Sequence, residues 1–546
     1  MSNQRTGEES ASNSSNKRRL LQGIGGLGAI GLAGCADETD DDEEESNGGA
    51  EPDPDAATNW DNYSVTELDV HDNMMSMDVA PDGRVFYITR GATFGQEGDG
   101  TARVNYVDPN SDETGTALEL PVRITDEDGG QGLVFDPDFE ENNYVYIFYT
   151  PTEDATEDIG ESPYAEWYDP SQDEEHDGID YSYMLVSRFE MEDDEIDADT
   201  EEEIIRIPYQ RDLCCHLGGY LEFGPEGELY ISTGDDSNTF ESDGFVPIDD
   251  QDARHPAFDA QRTSGNTADL RGKILRIIPE DDGSYSIPDD NLFTEDQGYG
   301  DEIEEGLVKP EIYVMGLRNP YTIAVDEETG LLHVADYGPD GEEWDSDRGP
   351  MGLIEYRQIC EASNAGWPFF HAYYPYRRYD FATEESGQPF WPDNLRNDSA
   401  NNTGLEKLPP VTPADVWFPE SSDSYVEAPD WVDMPKPGEV SWPEFPDGGS
   451  ANTGPRYRHS DEYGEGALDP YFDGKQFIMA PFNDNWMGYI TYNDDGSVDV
   501  NEFLPDEDFE TPNDMEYGPD GRLFLQTYGP GFSGEDGRIF MIEYEA

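Results

Sequence analysis

One short sequence pattern recurs along this chain and limits its fold more than anything else. Residues 78–87 read Asp-Val-Ala-Pro-Asp-Gly-Arg-Val-Phe-Tyr, 222–230 read Glu-Phe-Gly-Pro-Glu-Gly-Glu-Leu-Tyr, and 516–524 read Glu-Tyr-Gly-Pro-Asp-Gly-Arg-Leu-Phe. Looser copies stand at 133–149, 323–335 and 474–490. Each predicts strand, tight turn, strand. The Pro sets φ before the turn and the Gly supplies a positive φ within it. Alternating Val/Leu and Tyr/Phe make a half-buried hairpin that cannot cover its own apolar face, so stacking in a ring is the natural solution. About six copies predict an all-β fold, a six-bladed β-propeller spanning 60–546. A β-sandwich made of the same hairpins is the alternative. Residues 151–182 and 370–465 break the strand rhythm. Their aromatic content predicts long ordered loops over one face.

Charge decides what such a ring can meet. Asp and Glu number 126 against 30 Lys and Arg, a net charge of −96, yet 12% of residues are aromatic. That much aromatic material belongs to a folded core, not a solvated tail. The surface repels phosphate backbones and anionic membranes, so no nucleic-acid partner is expected. Self-repulsion on this scale destabilises a compact state in dilute buffer, and multi-molar salt screens it. A halophilic protein is the expectation.

The first residues carry targeting features. Lys17-Arg18-Arg19 precedes a weakly apolar run from Leu20 to Gly34, which ends at Cys35. The run is too short and Gly-rich for a spanning helix. It resembles a Tat-type lipoprotein signal over 1–35, with Cys35 the lipidated residue. Residues 36–59 read as an acidic, self-repelling tether. The expected location is outside the cell, on the outer face of the cytoplasmic membrane, with the membrane met only through the lipid anchor. Of the other cysteines, adjacent Cys214 and Cys215 read equally as a vicinal disulfide or as two small buried hydrophobes. No zinc spacing is present.

Five segments point to a family. They are Gln210–Gly219 (with Cys214-Cys215-His216-Leu217-Gly218-Gly219), Tyr230–Asp235 (ending Thr-Gly-Asp), Gln261–Ile277, Val314–Pro320 (with Gly-Leu-Arg-Asn-Pro) and Pro512–Gly521. In this order they resemble the glucose/sorbosone dehydrogenase family, the soluble PQQ-dependent aldose dehydrogenases, which are six-bladed propellers. The resemblance implies a sugar substrate, oxidation of an aldose at C1 to its lactone, PQQ as hydride acceptor, Ca²⁺ as Lewis acid, and an electron acceptor that is not named by it. His216 stands where the family places its catalytic base, a role suited to an imidazole. Glu127 matches a family position near the sugar, and Asp235 one at the cup mouth. Arg318 and Trp367 match segments near the cofactor. Glu355 matches an acid that serves a structural Ca²⁺ in the family, an ion that prefers oxygen ligands.

The chain also departs from the family pattern. Cations expected to hold the PQQ carboxylates are missing at Asp236–Asn238, Asn483–Trp486 and Pro512–Asp514. Arg262, Arg271, Lys273, Arg456 and Arg458 are the candidate substitutes. Two further functions therefore stay open: a non-catalytic propeller binding polysaccharide or a protein partner, and a metal-assisted hydrolase.

Overall fold

The computed structural model describes residues 53–545, apart from 94, 112, 153–180, 212–213, 239–241, 252–253, 342, 420–439, 442–450, 481–484 and 494–495. The expected signal, Cys35 and most of the tether lie outside these residues. So do most of the acidic 151–182 stretch, part of the 370–465 stretch and Asn483-Asp484.

Six four-stranded antiparallel units form a closed ring, a six-bladed β-propeller. Blade I is Met74–Val79, Val85–Thr89, Asp99–Asp108 and Glu113–Arg123. Blade II is Gly130–Phe135, Tyr144–Tyr149, Tyr181–Glu192 and Glu195–Gln210. Blade III is Gly218–Phe223, Leu229–Thr233, Lys273–Pro279 and Ile312–Met315. Blade IV is Ile323–Val325, Leu332–Tyr337, Leu353–Ile359 and Val416–Pro419. Blade V is Asn452–Arg456, Gln476–Ala480, Trp486–Tyr492 and Val498–Glu502, and blade VI begins with Pro512–Tyr517, Leu523–Thr527 and Gly537–Tyr544. Tyr63–His71 supplies the outer strand of blade VI, with Tyr63 opposite Tyr544 and His71 opposite Gly537. The last blade is thus made from both ends of the folded body.

The period-2 pattern explains the packing. Alternate residues of one strand face opposite neighbours: Phe86 and Ile88 pack toward blade II, while Val85 and Tyr87 pack toward blade VI. Six buried clusters fill the six gaps between adjacent blades. A face buried on both sides of every sheet is what a sandwich does not offer and a ring does. The hairpin turns (Pro81-Asp82-Gly83 and its copies) all sit at one end of the ring, and the starts of the inner strands sit at the other.

One detail differs from expectation. The body begins before residue 60: the short helix Pro54–Ala57 buries Ala57 in the cluster between blades V and VI, and Tyr63 Oη donates to Ala57 O at 2.7 Å. Many of the described aromatics of 367–408 pack inward. Trp367, Phe369, Tyr376, Phe390 and Leu408 join Val246, Ile248 and Ala260 in the cluster that underlies the loops of blade III. Among the described residues no helix is long and apolar enough to cross a membrane.

Candidate functional site

The site forms at the end of the ring where the inner strands start. His216 lies two residues before the inner strand of blade III, and Asp235 two residues after the second strand. Antiparallel pairing brings those ends together: Gly218 is opposite Thr233. The backbone must fold tightly to do so. His216 has φ +67° and Gly218 φ +68°. A Cβ on Gly218 would meet Gly234 N at 2.7 Å and Thr233 Cα at 2.8 Å, which accounts for the Gly after His216-Leu217.

His216 Nδ1 is 2.7 Å from Asp235 Oδ1. A carboxylate there accepts the Nδ1 proton, leaving Nε2 as the basic nitrogen. Nε2 makes no hydrogen bond to the described residues. Asp235 is fully buried and receives three further donors: Ser237 N at 3.0 Å, Ser237 Oγ at 2.7 Å and, on Oδ2, Trp367 Nε1 at 2.7 Å. Burial works against its charge, but His216, Arg318 and Ser237 together hold the carboxyl below the usual carboxylate range. The group expected at the cup mouth therefore lies behind His216 and orients it.

Trp367 reaches this place by an unusual path. After blade IV's third strand, Ser363-Asn364 adds a parallel strand to the outer edge of blade III, opposite Val314-Met315. The chain then climbs to the site end, and Trp367 N donates to Gly316 O at 2.9 Å. Arg318 is buried beside it, its guanidinium 6.0 Å from the Trp367 ring and 5.1 Å from that of Tyr337. Arg318 O accepts from Asp235 N at 2.7 Å. Asn319 Oδ1 accepts from Gly218 N at 3.0 Å. Glu127 closes the other side: its Oε2 accepts from Leu217 N at 3.0 Å. Cys214 and Cys215 are disulfide-bonded, and both sulfurs lie within 4.8 Å of the Glu127 carboxylate. Glu127, both cysteines, Arg211 and Leu217 line a small pocket.

Other expected site residues have different employment. Arg262 is buried, donating to Asp236 Oδ2 at 3.2 Å and to Pro256 O at 2.6 Å. Arg271 pairs with Asp236 at 2.5 Å and Asp269 at 2.6 Å. Lys273 Nζ donates to the carbonyls of Thr263, Ser264 and Arg271. Arg456 and Arg458 are a correction. Arg456 ends blade V's inner strand and Arg458 follows it; both pair with Asp326, after blade IV's inner strand, so they stand at the opposite end of the ring from His216. Their cluster in the sequence answers a buried carboxylate, not a cofactor.

Glu355 is a second correction. Its Oε1 accepts from Arg357 Nε at 2.7 Å and its Oε2 from Ala372 N at 2.6 Å, and its third neighbour is the imidazole of His371, 3.7 Å away. That is not the all-oxygen shell calcium takes. Across the strand pair, Asp336 is pushed up to about 7 by burial and by Glu355. Asp336 and His371 were not singled out by the sequence. Asp336 is the last residue but one of a blade strand and His371 is one of only 7 His in the chain, which were the available signals.

PQQ is a tricarboxylate, and buried carboxylates need cations. Of the candidate cations, only Arg318 stands beside the His216–Asp235 pair; the others are held by internal partners or lie at the far end. The described residues thus fit the proton-abstracting half of the expected chemistry and do not among themselves assemble the expected carboxylate cradle.

Comparison with known proteins bears on the same features. The glucose/sorbosone dehydrogenase family model matches residues 71–392. Quinoprotein glucose dehydrogenase B of Acinetobacter calcoaceticus is 25% identical over 334 residues, covering 58% of this chain and 56% of that one. The chain spans about half or less of the length of the curated relatives it matches. The soluble aldose sugar dehydrogenase of Escherichia coli in its apo form aligns with TM-score 0.52 and 17% identity, over 88% of this chain and 99% of that one. The PQQ-bound aldose sugar dehydrogenase of Streptomyces coelicolor aligns with TM-score 0.50 and 16% identity, over 88% and 98%. These structural likenesses support the propeller fold. With its family model matched over most of its length, the chain belongs to the glucose/sorbosone dehydrogenase family.

Proposed function

We propose that this protein is an extracytoplasmic oxidoreductase that oxidises an aldose or related sugar to its lactone, with His216 as general base. The observation that carries the reading is the buried His216–Asp235 pair. Asp235 accepts from Nδ1, fixes the tautomer and stabilises the imidazolium that forms as Nε2 takes a hydroxyl proton. Trp367 and Ser237 hold Asp235 in place, so the base is set before substrate arrives. Glu127, beside His216 across the Leu217 amide, is placed to accept a sugar hydroxyl.

The family resemblance names PQQ as the hydride acceptor, with Ca²⁺ polarising its quinone oxygens. Arg318 is the residue best placed to meet an anionic group there. We assign no step to the cofactor, because the remaining cations are engaged elsewhere. That engagement favours the second reading, a propeller that has kept the fold and binds polysaccharide or a protein partner without catalysis. The electron acceptor is not identified. Export by a Tat-type signal, lipidation at Cys35, attachment to the outer face of the membrane and adaptation to high salt belong to the same proposal. They rest on the N-terminal sequence and the net charge of −96.

The test is a PQQ titration of the body from Asp55 in multi-molar salt, with Ca²⁺ and with chelator, followed by a dye-linked sugar screen. Saturable binding and sugar oxidation that His216→Ala abolishes would support the enzyme. A folded protein that binds no PQQ and oxidises no sugar would leave the binding reading.

A further inference from the structure

Behind the His216 site, blade IV carries a second constellation that the proposed reaction does not use. Asp336 and Glu355 are directly opposite one another in the strand pair, and the Phe370–His371 strand lays His371 beside them. One ligand-type atom from each of the three lies within 4.8 Å of the other two. All are buried, with 0%, 1% and 1% of their surface exposed.

The hydrogen bonds fix what these atoms offer. His371 Nε2 faces Leu353 O at 2.9 Å. A carbonyl only accepts, so Nε2 carries the proton and neutral His371 turns the lone pair of Nδ1 toward the carboxylates. Nδ1 stands 3.7 Å from Glu355 Oε2, beyond hydrogen-bond reach. Two lone-pair donors therefore face one another in a site closed to bulk water. Glu355 has Arg357 as its counter-cation. Asp336 accepts only the backbone N–H groups of Arg318 at 2.8 Å and Asn319 at 2.7 Å, and no side-chain cation is ion-paired with it among the described residues. An imidazole whose other nitrogen donates to a carbonyl, with carboxylates pre-oriented by backbone amides, is the outer-shell pattern of a metal ligand set.

We propose that Asp336, Glu355 and His371 bind a divalent transition-metal ion of the zinc class. One imidazole and two carboxylates suit zinc, which takes nitrogen and oxygen ligands in small coordination numbers. Calcium takes six to eight oxygens and magnesium keeps its waters, which a closed three-residue site with a nitrogen donor does not provide. The proposal does not depend on PQQ or on sugar oxidation. The ion ties the two middle strands of blade IV to the 370–371 segment, close behind Trp367, whose ring is 5.7 Å from that of His371.

The experiment uses the folded protein in multi-molar salt, stripped with chelator and desalted. Zinc is then titrated in an excess of Ca²⁺ that occupies the many surface carboxylates, and retained zinc is counted by elemental analysis. The expected result is one zinc per chain, unmoved by Ca²⁺, with the affinity lowered about a hundredfold or more in His371→Gln and in Asp336→Asn. No retained zinc, zinc displaced by Ca²⁺, or zinc unaffected by both substitutions would overturn the proposal. Should either variant fail to fold, the unaltered protein loaded with Co²⁺ decides. Visible absorption of a low-coordinate nitrogen–oxygen site is expected, and a spectrum matching hydrated Co²⁺ would overturn it.

Discussion

His216 and Asp235, nineteen residues apart, meet through a 2.7 Å contact between Nδ1 and Oδ1 because an antiparallel hairpin returns the chain to its starting level. Replacing Asp235 by Asn keeps the size but presents an amide that no longer stabilises the imidazolium. Asp235→Asn is expected to lower kcat for sugar oxidation by roughly 10²–10⁴-fold with little change in KM. Steady-state kinetics with thermal melts as a folding control check it. Unchanged kcat would remove the dyad from the mechanism.

Trp367→Phe tests the other oxygen of the same carboxylate. It keeps most of the packing and deletes the Nε1–H donor to Oδ2. Losing a buried hydrogen bond to a charged group is expected to destabilise by about 1.5–3 kcal/mol. Melts in high salt would show this as a lowered Tm, together with a reduced kcat.

Arg456 and Arg458 should behave as structural residues. Arg458→Ala strips the buried Asp326 of its closest cation and is expected to cost roughly 1.5–3 kcal/mol of stability. Affinity for PQQ should not change. A loss of PQQ affinity in a folded variant would contradict their placement at the far end of the ring.

Stability should also respond to pH. Around the central axis, the single proton of Tyr220 Oη faces both Asp514 Oδ1 at 2.9 Å and Glu516 Oε1 at 3.1 Å, a pairing of two buried acids that favours a proton on one of them. Burial and the neighbouring acids push Asp514 up to about 7 and Glu516 and Glu222 well above the ordinary value, while burial takes Asp78 to about 6. The folded state then holds protons that the unfolded chain, titrating near 4, has lost, so stability falls as pH rises from about 4 through about 7. Glu516→Gln keeps an acceptor for Tyr220. It should raise stability at pH 8 by on the order of 1 kcal/mol and leave it nearly unchanged at pH 4. Melts across this range give the answer. A Tm that climbs with pH would refute it.

Dialysis into low salt is expected to unfold the protein cooperatively, by loss of screening for a net charge of −96. Far-UV circular dichroism against salt concentration measures it. Full retention of structure in dilute buffer would count against the halophilic reading.

The fold was legible because its unit is local. A Pro-Asp-Gly hairpin with alternating apolar residues states both its turn and its two buried faces, and six such units leave a ring as the economical arrangement. The tight turn at His216 was legible from Gly218-Gly219, which follow Leu217. Arg262 and Arg271 were misread because the carboxylate that engages both, Asp236, is 26 and 35 residues away and only folding brings it near. Trp367 was matched to a segment near the cofactor, and its indole donates to Asp235. Its route along the edge of blade III is a pairing between blades, which no local pattern encodes. His371 was missed for the same reason: its neighbours come from two strands that precede it in sequence by 12 residues or more.

The strand Tyr63–His71 has a consequence for how the molecule would stand in its surroundings. Tyr63, the residue nearest the N-terminal segment, is opposite Tyr544, and His71 is opposite Gly537. Tyr63 thus enters blade VI at the hairpin-turn end, across the ring from His216. A lipid on Cys35, as proposed above, would pull from that end of the molecule and leave the His216 end turned toward the medium from which a diffusing substrate arrives.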